Sequence, residues 1–159
     1  MTLSIMRRSR SRNSQGFTMI ELLIVVAVIM IIAAIAIPNL VSAIYIAKVA
    51  RAVSEITNIE EAVDLYQSIN NVLPDNLSQV GYGNLLDPWG DPYEYVNHAT
   101  GHGNGTTRLD HFNVPLNSDF DIYSNGKDRM SSASIAASDS QDDVIRASDG
   151  SYKGLASQF

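Results

Sequence analysis

The architecture follows from one stretch near the N-terminus, residues 17–40, which is FTMIELLIVVAVIMIIAAIAIPNL. From Leu22 to Ile37 every residue is apolar, whereas the whole chain has an ordinary hydrophobic content of 45%. A helix rises about 1.5 Å per residue, and a bilayer core needs about 20 such residues. The 21 residues from Phe17 to Ile37 therefore predict a helix that spans a membrane.

The segment before this helix is basic. Residues 1–16 hold four of the chain's 11 Lys and Arg residues and no acid, and the rest of the chain carries 7 basic and 17 acidic residues. The positive-inside rule places residues 1–16 in the cytoplasm and the bulk of the chain across the membrane. A cleaved signal peptide is one alternative, but its apolar core is only about 7–15 residues long. A plain uncleaved anchor is the other.

One residue argues against both alternatives. Glu21 lies one turn into the apolar run, and a lone carboxylate at the centre of a bilayer costs roughly 2.5–3.5 kcal/mol. Residues 13–47 contain no Lys or Arg to pair with it. An ion pair within the span is therefore not expected, and a partner from another chain is the natural alternative.

Residues 16–23, GFTMIELL, resemble the prepilin motif of type IV pilins and type II secretion pseudopilins. The resemblance implies cleavage between Gly16 and Phe17, followed by methylation of the new N-terminus at Phe17. It also implies that Glu21 pairs with the N-terminal ammonium of a neighbouring subunit, so that two charges hidden from lipid neutralise each other. Pro38 falls where the family places a helix-bending proline. The implied assembly residues are Phe17, Glu21 and Pro38.

An amphipathic pattern continues the helix after the apolar run. One apolar stripe at helical spacing consists of Val41, Tyr45, Val49, Ala52, Ile56, Ile59, Val63 and Tyr66. We expect this stripe to pack on the domain's own sheet rather than in an intermolecular coiled coil. Charged residues between the stripe positions, such as Glu60, are expected on wetter faces. The helix is expected to end near Asn70, before Pro74, roughly 80 Å from its start.

Short strands are expected after a loop at residues 72–87. Residues 87–92, DPWGDP, form a dense turn signal, and residues 93–96 alternate as a strand. Residues 109–116 and 120–123 are a second and a third possible strand. The predicted fold is therefore α+β and type IV pilin-like. It combines a long N-terminal α-helix, half transmembrane and half packed on the domain, with a small antiparallel β-sheet.

Two further segments sharpen the resemblance. Residues 86–95, LDPWGDPYEY, are similar to the D-P-W-G-x-P-Y-x-Y segment of the major pseudopilin, the G subunit, of type II secretion systems. Residues 119–128, DFDIYSNGKD, resemble the D-I-Y-S-x-G-x-D segment of the same family. The resemblance implies a structural subunit that polymerises into a periplasmic pseudopilus filament driving type II protein secretion. The alternative is a major type IV pilin of a surface filament that serves adhesion, motility or surface conduction.

The resemblance also implies partners and a location. The implied partners are copies of the chain in a homopolymer filament, a prepilin peptidase and methyltransferase, an inner-membrane assembly platform with minor pseudopilins, and the lipid bilayer before assembly. The chain is expected to cross the bacterial inner membrane once, with a cytoplasmic N-terminus and a periplasmic C-terminal domain, and then to enter a periplasmic or surface filament.

The expected domain organisation has three parts. Residues 1–16 are a prepilin leader peptide that is removed. Residues 17–40 are the transmembrane and assembly half of the helix. Residues 41–159 form a periplasmic pilin-like globular domain, with a C-terminal loop region from about residue 125.

A calcium site is predicted in this C-terminal region. The chain has no Cys to close it with a disulfide, and the resemblance implies closure by calcium. The candidate ligands are Asn125, Asp128, Asp139, Asp142 and Asp143. Calcium takes about six to eight oxygens, which four carboxylates within 16 residues would begin to supply. The glycines expected after the D-I-Y-S-x-G-x-D segment are, however, replaced by RMSS at residues 129–132. The alternative is a solvated acidic tail.

Composition argues against other classes of function. The net charge of −6 is opposite to a nucleic-acid footprint, so no nucleic-acid partner is expected and a DNA-binding competence pseudopilin is disfavoured. Nothing arranges Ser, His and Asp as a nucleophilic triad, so the chain is not expected to be an enzyme. An enzyme on an uncleaved anchor is the rival from that class. His98, His102 and His111 lack metal-ligand spacing and are expected at the surface.

Overall fold

The structure is a computed structural model and describes residues 16–159. The predicted leader, apart from Gly16, lies outside the described residues. Helix α1 runs over Met19–Asn70, 52 residues that include Pro38. It ends where the sequence predicts: Asn71 has a positive φ of 57° and its N–H donates to the carbonyl of Gln67 at 2.8 Å, a helix-ending geometry. The chain divides into two compact units between residues 41 and 42.

The described part of the first unit is helix with an exposed apolar surface. Helix α1 is long and apolar enough to cross a bilayer, and none of its most apolar 18-residue window is buried within the chain. From Phe17 to Ile37, every side chain except the half-buried Ala33 is exposed. Pro38 lies within the helix, where its ring leaves no N–H to donate to the preceding turn.

The second unit, from Ser42 onward, is α+β, which confirms the predicted fold class. Its strands are β1 (Glu94–Asn97), β2 (Phe120–Ser124), β3 (Val144–Ala147) and β4 (Tyr152–Leu155). They form one sheet in the order β1-β2-β3-β4, and each pair of neighbours is antiparallel.

The C-terminal half of α1 packs on one face of this sheet, which confirms the predicted role of the apolar stripe. The buried residues of this face are Ala52, Ile56, Ile59, Val63, Leu77, Tyr93, Tyr95, Phe120, Ile122 and Val144. Burying aliphatic side chains of this kind stabilises the fold by roughly 1.5–3 kcal/mol each. The ends of the stripe contribute less, since Val41 is 59% exposed.

Loop segments cover the other face of the sheet. Its buried residues are Leu116, Tyr123, Ile135, Ile145, Ala147 and Ala156. Because both faces are covered, all five residues of β2 are buried. Asp121 is tolerated there because its carboxylate accepts hydrogen bonds from the backbone of Arg108 and the side chain of Asn117, at 2.7 and 2.6 Å.

The possible strand at residues 109–116 was a wrong prediction. Leu109 instead bonds to a later segment: its N–H donates to the carbonyl of Ala133, and its carbonyl accepts from Ile135. Asp110 Oδ1 then accepts two backbone N–H groups of the following turn, at 2.7 and 2.8 Å. The side chain of an acid thus competes with strand pairing for the backbone.

Strands β3 and β4 were not predicted. They form a hairpin whose tip contains Asp149-Gly150, with φ of 50° and 85°. An Asp-Gly pair between two short runs is a hairpin signal. It is obscured here because Arg146 and Lys153 lie within the strands.

Candidate functional site

Two of the three predicted assembly residues, Phe17 and Glu21, lie at the start of α1 next to Thr18, whereas Pro38 lies within the helix. The backbone N–H and the hydroxyl of Thr18 both donate to Glu21 Oε2, at 2.8 and 2.7 Å. The backbone N–H of Glu21 donates in return to Thr18 Oγ1 at 3.3 Å. This arrangement is a capping box, which satisfies N–H groups that have no partner inside the helix.

Glu21 thereby has a partner in its own chain that was not predicted. Its sequence signal is a Thr followed three residues later by a Glu, just before an apolar run. The Thr18 groups are hydrogen-bond donors without charge, so they leave the negative charge of Glu21 uncompensated. Phe17 is 88% exposed and Glu21 is exposed as well. Both groups therefore remain accessible to another molecule.

Glu60 is buried in α1, contrary to the expectation that it lies on a wetter face. Its Oε1 accepts a 2.7 Å hydrogen bond from Arg146 Nε, and Lys153 Nζ lies 2.5 Å from Oε2. Arg146 also donates to both carboxylate oxygens of Asp119, at 2.8 and 2.9 Å, and its guanidinium lies 4.0 Å from the centre of the Phe120 ring. The buried arginine explains the position of Glu60, because a charge inside a protein needs a partner.

The Asp-Pro-Trp-Gly turn is organised by Asp87, which is 4% exposed. Its Oδ1 accepts the backbone N–H groups of Trp89, Gly90 and Asp91, at 2.9, 2.8 and 2.9 Å. Its Oδ2 accepts the hydroxyl of Ser124 at 2.5 Å. The Asp of this motif therefore holds the turn against the end of β2, which is a structural role.

The Trp of the same turn contacts α1. The centre of the Trp89 ring lies 6.3 Å from the centre of the Tyr45 ring and 5.8 Å from Lys48 Nζ. On the other side, Arg129 Nη2 donates to the Trp89 carbonyl at 2.5 Å, and its Nε lies 3.1 Å from Asp91 Oδ2. The turn thus joins the helix to the chain that follows β2.

The C-terminal loop, residues 125–143, contains the five predicted calcium ligands. Asp142 Oδ2 accepts two backbone N–H groups, from Lys127 at 2.6 Å and from Asp128 at 3.0 Å. Asp128 and Asp139 each accept one hydrogen bond at 2.9 Å from a residue nearby in the chain. These three carboxylates therefore stabilise turns of their own loop.

Asp143 is fully buried, and its charge partner is Arg108. Arg108 Nη2 lies 2.6 Å from Asp143 Oδ2, and Ser131 Oγ donates to the same oxygen at 2.7 Å. Arg108 Nη1 donates to Ser131 Oγ and, at 2.5 Å, to the Ser132 carbonyl, while the guanidinium lies 4.5 Å from the centre of the Tyr123 ring. Burial raises the pKa of Asp143 to about 6, despite the hydrogen bond from Ser131 and the charge of Arg108.

The predicted ligands are not brought together as a cation site. Within residues 16–159, no three His, Asp or Glu side chains are placed so that they could hold a metal ion. Asn125 Oδ1 and Asp143 Oδ1 accept no hydrogen bond in this part of the chain, but calcium takes about six to eight oxygens. Calcium binding stays a prediction from the sequence.

Two of the three histidines form pairs with single carboxylates. His98 Nε2 lies 2.8 Å from Asp121 Oδ2 and its side chain is only 14% exposed, so its predicted surface position is wrong. His102 Nδ1 lies 2.8 Å from Asp75 Oδ1 and is 63% exposed, and His111 is exposed. Those two positions agree with the prediction.

Residues 11–37 match the family described as the prokaryotic N-terminal methylation motif. The matched range contains the predicted cleavage junction, the capping box and the apolar run. It ends one residue before Pro38.

Longer matches to named relatives extend the comparison into the second unit. The chain is 34% identical over 106 residues to the type II secretion system core protein G of Pseudomonas aeruginosa, covering 54% of this chain and 75% of that protein. The protein of the same name from Vibrio cholerae is 31% identical over 107 residues, which are 55% of this chain and 73% of that protein. A type IV wide pilus major component of Thermus thermophilus is 42% identical over 65 residues, which are 41% of this chain and 50% of that protein. No solved structure matches with comparable significance.

Proposed function

We propose that this chain, which belongs to the family of the type II secretion system core protein G, is the repeating subunit of a periplasmic pseudopilus that drives type II protein secretion. Its role is structural rather than catalytic. The subunit is made as a prepilin, is held in the inner membrane by the apolar half of α1, and then joins copies of itself. A prepilin peptidase cuts after Gly16 and methylates Phe17.

One observation carries this proposal: the apolar half of α1 has no cover within the described chain. The second unit builds its core without it, since the helix residues that contact that core begin at Val49. A continuous surface of Leu, Ile and Val is unfavourable in water. Lipid covers this surface before assembly, and the same surface of other copies covers it in the filament.

The pairing of Glu21 gives the filament its register. Cleavage after Gly16 would leave an ammonium on Phe17, and residues 13–47 hold no other positive side chain. The ammonium of a second copy would supply the charge that Thr18 does not. Away from water the attraction between the two charges is strong, and a charge left without a partner there is costly. A copy out of register would leave both charges unpaired.

The test substitutes Glu21 in the full chain. Glu21→Ala should lower filament yield about tenfold or more, since a tenfold effect needs only about 1.4 kcal/mol per contact. Filaments are counted by electron microscopy, and contacts between copies are measured by cross-linking of introduced cysteines in isolated membranes. Melting of the full-length variant in detergent micelles, followed by Trp89 fluorescence, should match that of the wild-type chain, because Glu21 lies outside the Ser42–Phe159 unit. Undiminished filament yield would refute the pairing.

Thr18→Ala is the matched control. It removes the capping hydroxyl and keeps the carboxylate, so it should assemble nearly as well as the wild-type chain. An equal loss of assembly in both variants would mean that Glu21 serves only to cap its own helix.

A surface pilus is the second candidate function. The 42% identity to the Thermus thermophilus pilus component favours it. Deletion of the gene distinguishes the two. Loss of secreted proteins from the medium, with surface filaments intact, supports the secretion role. Loss of long surface filaments with normal secretion supports the pilus.

A further inference from the structure

The C-terminal loop is held by the segment that contains Arg108. Next to Arg108, the N–H of Leu109 donates to the Ala133 carbonyl at 2.8 Å, and the N–H of Ile135 donates to the Leu109 carbonyl at 2.9 Å. Ile135 is fully buried in the apolar cluster on the face of the sheet that loop segments cover. The loop is therefore attached to this segment by backbone hydrogen bonds and by apolar packing.

The Arg108 side chain adds a charged contact at the centre of this attachment. It reaches the middle of the loop at Ser131 and Ser132 and the end of the loop at Asp143. The side chains of Arg108 and Asp143 are 1% and 0% exposed. A carboxylate buried to this degree is strongly destabilising without a positive partner, and Arg108 is that partner.

Two of the four residues that depart from the family pattern contact the guanidinium. The sequence RMSS, residues 129–132, stands where glycines were expected. Ser131 and Ser132 supply two of the oxygens that accept from Arg108 Nη1. An arginine site therefore accounts for Ser131, which accepts through its side chain, whereas Ser132 accepts through its backbone carbonyl.

A divalent cation does not fit the same arrangement. It would share the Asp143 carboxylate with Arg108, and two positive centres at one buried carboxylate repel each other. The other acidic side chains of the loop accept hydrogen bonds from their own turns, and in residues 16–159 they do not converge with Asp143 as a metal site. The acceptor oxygens suit the two Nη groups of a guanidinium, which donate several hydrogen bonds in one plane.

We propose that Arg108 supplies the positive charge that holds the C-terminal loop, and that this chain folds without calcium. The proposal goes beyond the filament role. It holds equally for a pseudopilus and for a surface pilus, because it concerns the folding of the second unit alone.

The experiment uses the full chain in detergent micelles, with and without calcium. Melting is followed by the fluorescence of Trp89, the single tryptophan, in EGTA and in about 5 mM CaCl₂, a concentration above the roughly millimolar dissociation constants of weak extracellular sites. Hydrogen exchange of loop peptides, measured by mass spectrometry, reports on the loop itself. The wild-type melting midpoint and exchange rates should be the same in both solutions.

Single substitutions test whether Arg108 supplies the positive charge that holds the C-terminal loop. Arg108→Gln should lower the melting midpoint by about 10 °C in both solutions and speed exchange of the loop peptides at least about tenfold, since it leaves Asp143 without its charge partner. Lys127→Gln is the matched control, because it removes a positive charge from an exposed position of the same loop. Its midpoint should stay within a few degrees of the wild type.

A double variant keeps the test valid if Arg108→Gln does not fold. Arg108→Met combined with Asp143→Leu removes both charges, so it should fold and melt closer to the wild type than Arg108→Gln does. A wild-type midpoint that rises with calcium by more than about 3 °C would overturn the proposal and establish the calcium site. Wild-type melting and exchange in Arg108→Gln would also overturn it.

Discussion

Glu60→Ala should destabilise the second unit by about 3 kcal/mol. The change leaves Arg146, 3% exposed, with Asp119 as its remaining charge partner. Lys153 loses the same carboxylate but is 19% exposed, so water can solvate it. Removing one partner of a buried ion pair costs about 3–5 kcal/mol, and the retained Asp119 places the cost at the low end. For a domain of this size the melting midpoint should fall by about 10 °C.

The assay is equilibrium unfolding of the Ser42–Phe159 unit in urea, followed by Trp89 fluorescence. Glu61→Ala is the control: it removes the same kind of side chain from the next, exposed position of the helix. Its free energy of unfolding should stay within about 0.5 kcal/mol of the wild type. A cost below about 1 kcal/mol for Glu60→Ala would show that Asp119 alone neutralises Arg146. Apolar contacts would then be sufficient to hold the helix on the sheet.

Two further predictions concern processing and pH. Intact-mass measurement of the chain extracted from membranes should show a protein that begins at Phe17 and is heavier by one methyl group; a chain that still begins at Met1, or that is cut after Ala36, would contradict the family assignment of the junction. The pKa of Asp143, about 6 in the folded chain against an ordinary 3.8, means that the native state binds more protons between these values. Stability should therefore fall as pH rises from about 4 to about 6, by about 3 kcal/mol, and this effect should be complete above pH 6. The charges that act on Asp143 are those of Arg108, which lowers its pKa, and Asp142, which raises it. Asp143→Asn should remove this part of the pH dependence. A constant stability difference between that variant and the wild type across the range would show that the pKa is not raised.

Features set by local patterns were predictable from the sequence. The period of the apolar stripe predicted the buried face of α1. Pro74 predicted that the helix ends near Asn70. The alternation at residues 93–96 and the run at 120–123 gave β1 and β2. Each of these signals lies within a few residues, where the geometry of a helix or a strand acts directly on the pattern.

Features that depend on distant partners were not predictable in this way. Arg146 occupies a core position of β3 because Glu60, 86 positions earlier, accepts its hydrogen bond. Arg108 is buried in a loop because Asp143, 35 positions later, carries the opposite charge. A local pattern assigns all four side chains to water, and only the fold brings their charges together.

The capping box at Thr18 and Glu21 bears on the energetics of filament growth. Because Thr18 already donates two hydrogen bonds to Glu21, the carboxylate enters the proposed filament contact from a hydrogen-bonded state. The gain on forming the intermolecular ion pair is then reduced by the hydrogen bonds that Glu21 already accepts, although its charge is compensated only in the pair. Moving the apolar helix from lipid to other helices removes no apolar surface from water. These two terms therefore contribute little net free energy to the addition of a subunit to the proposed filament.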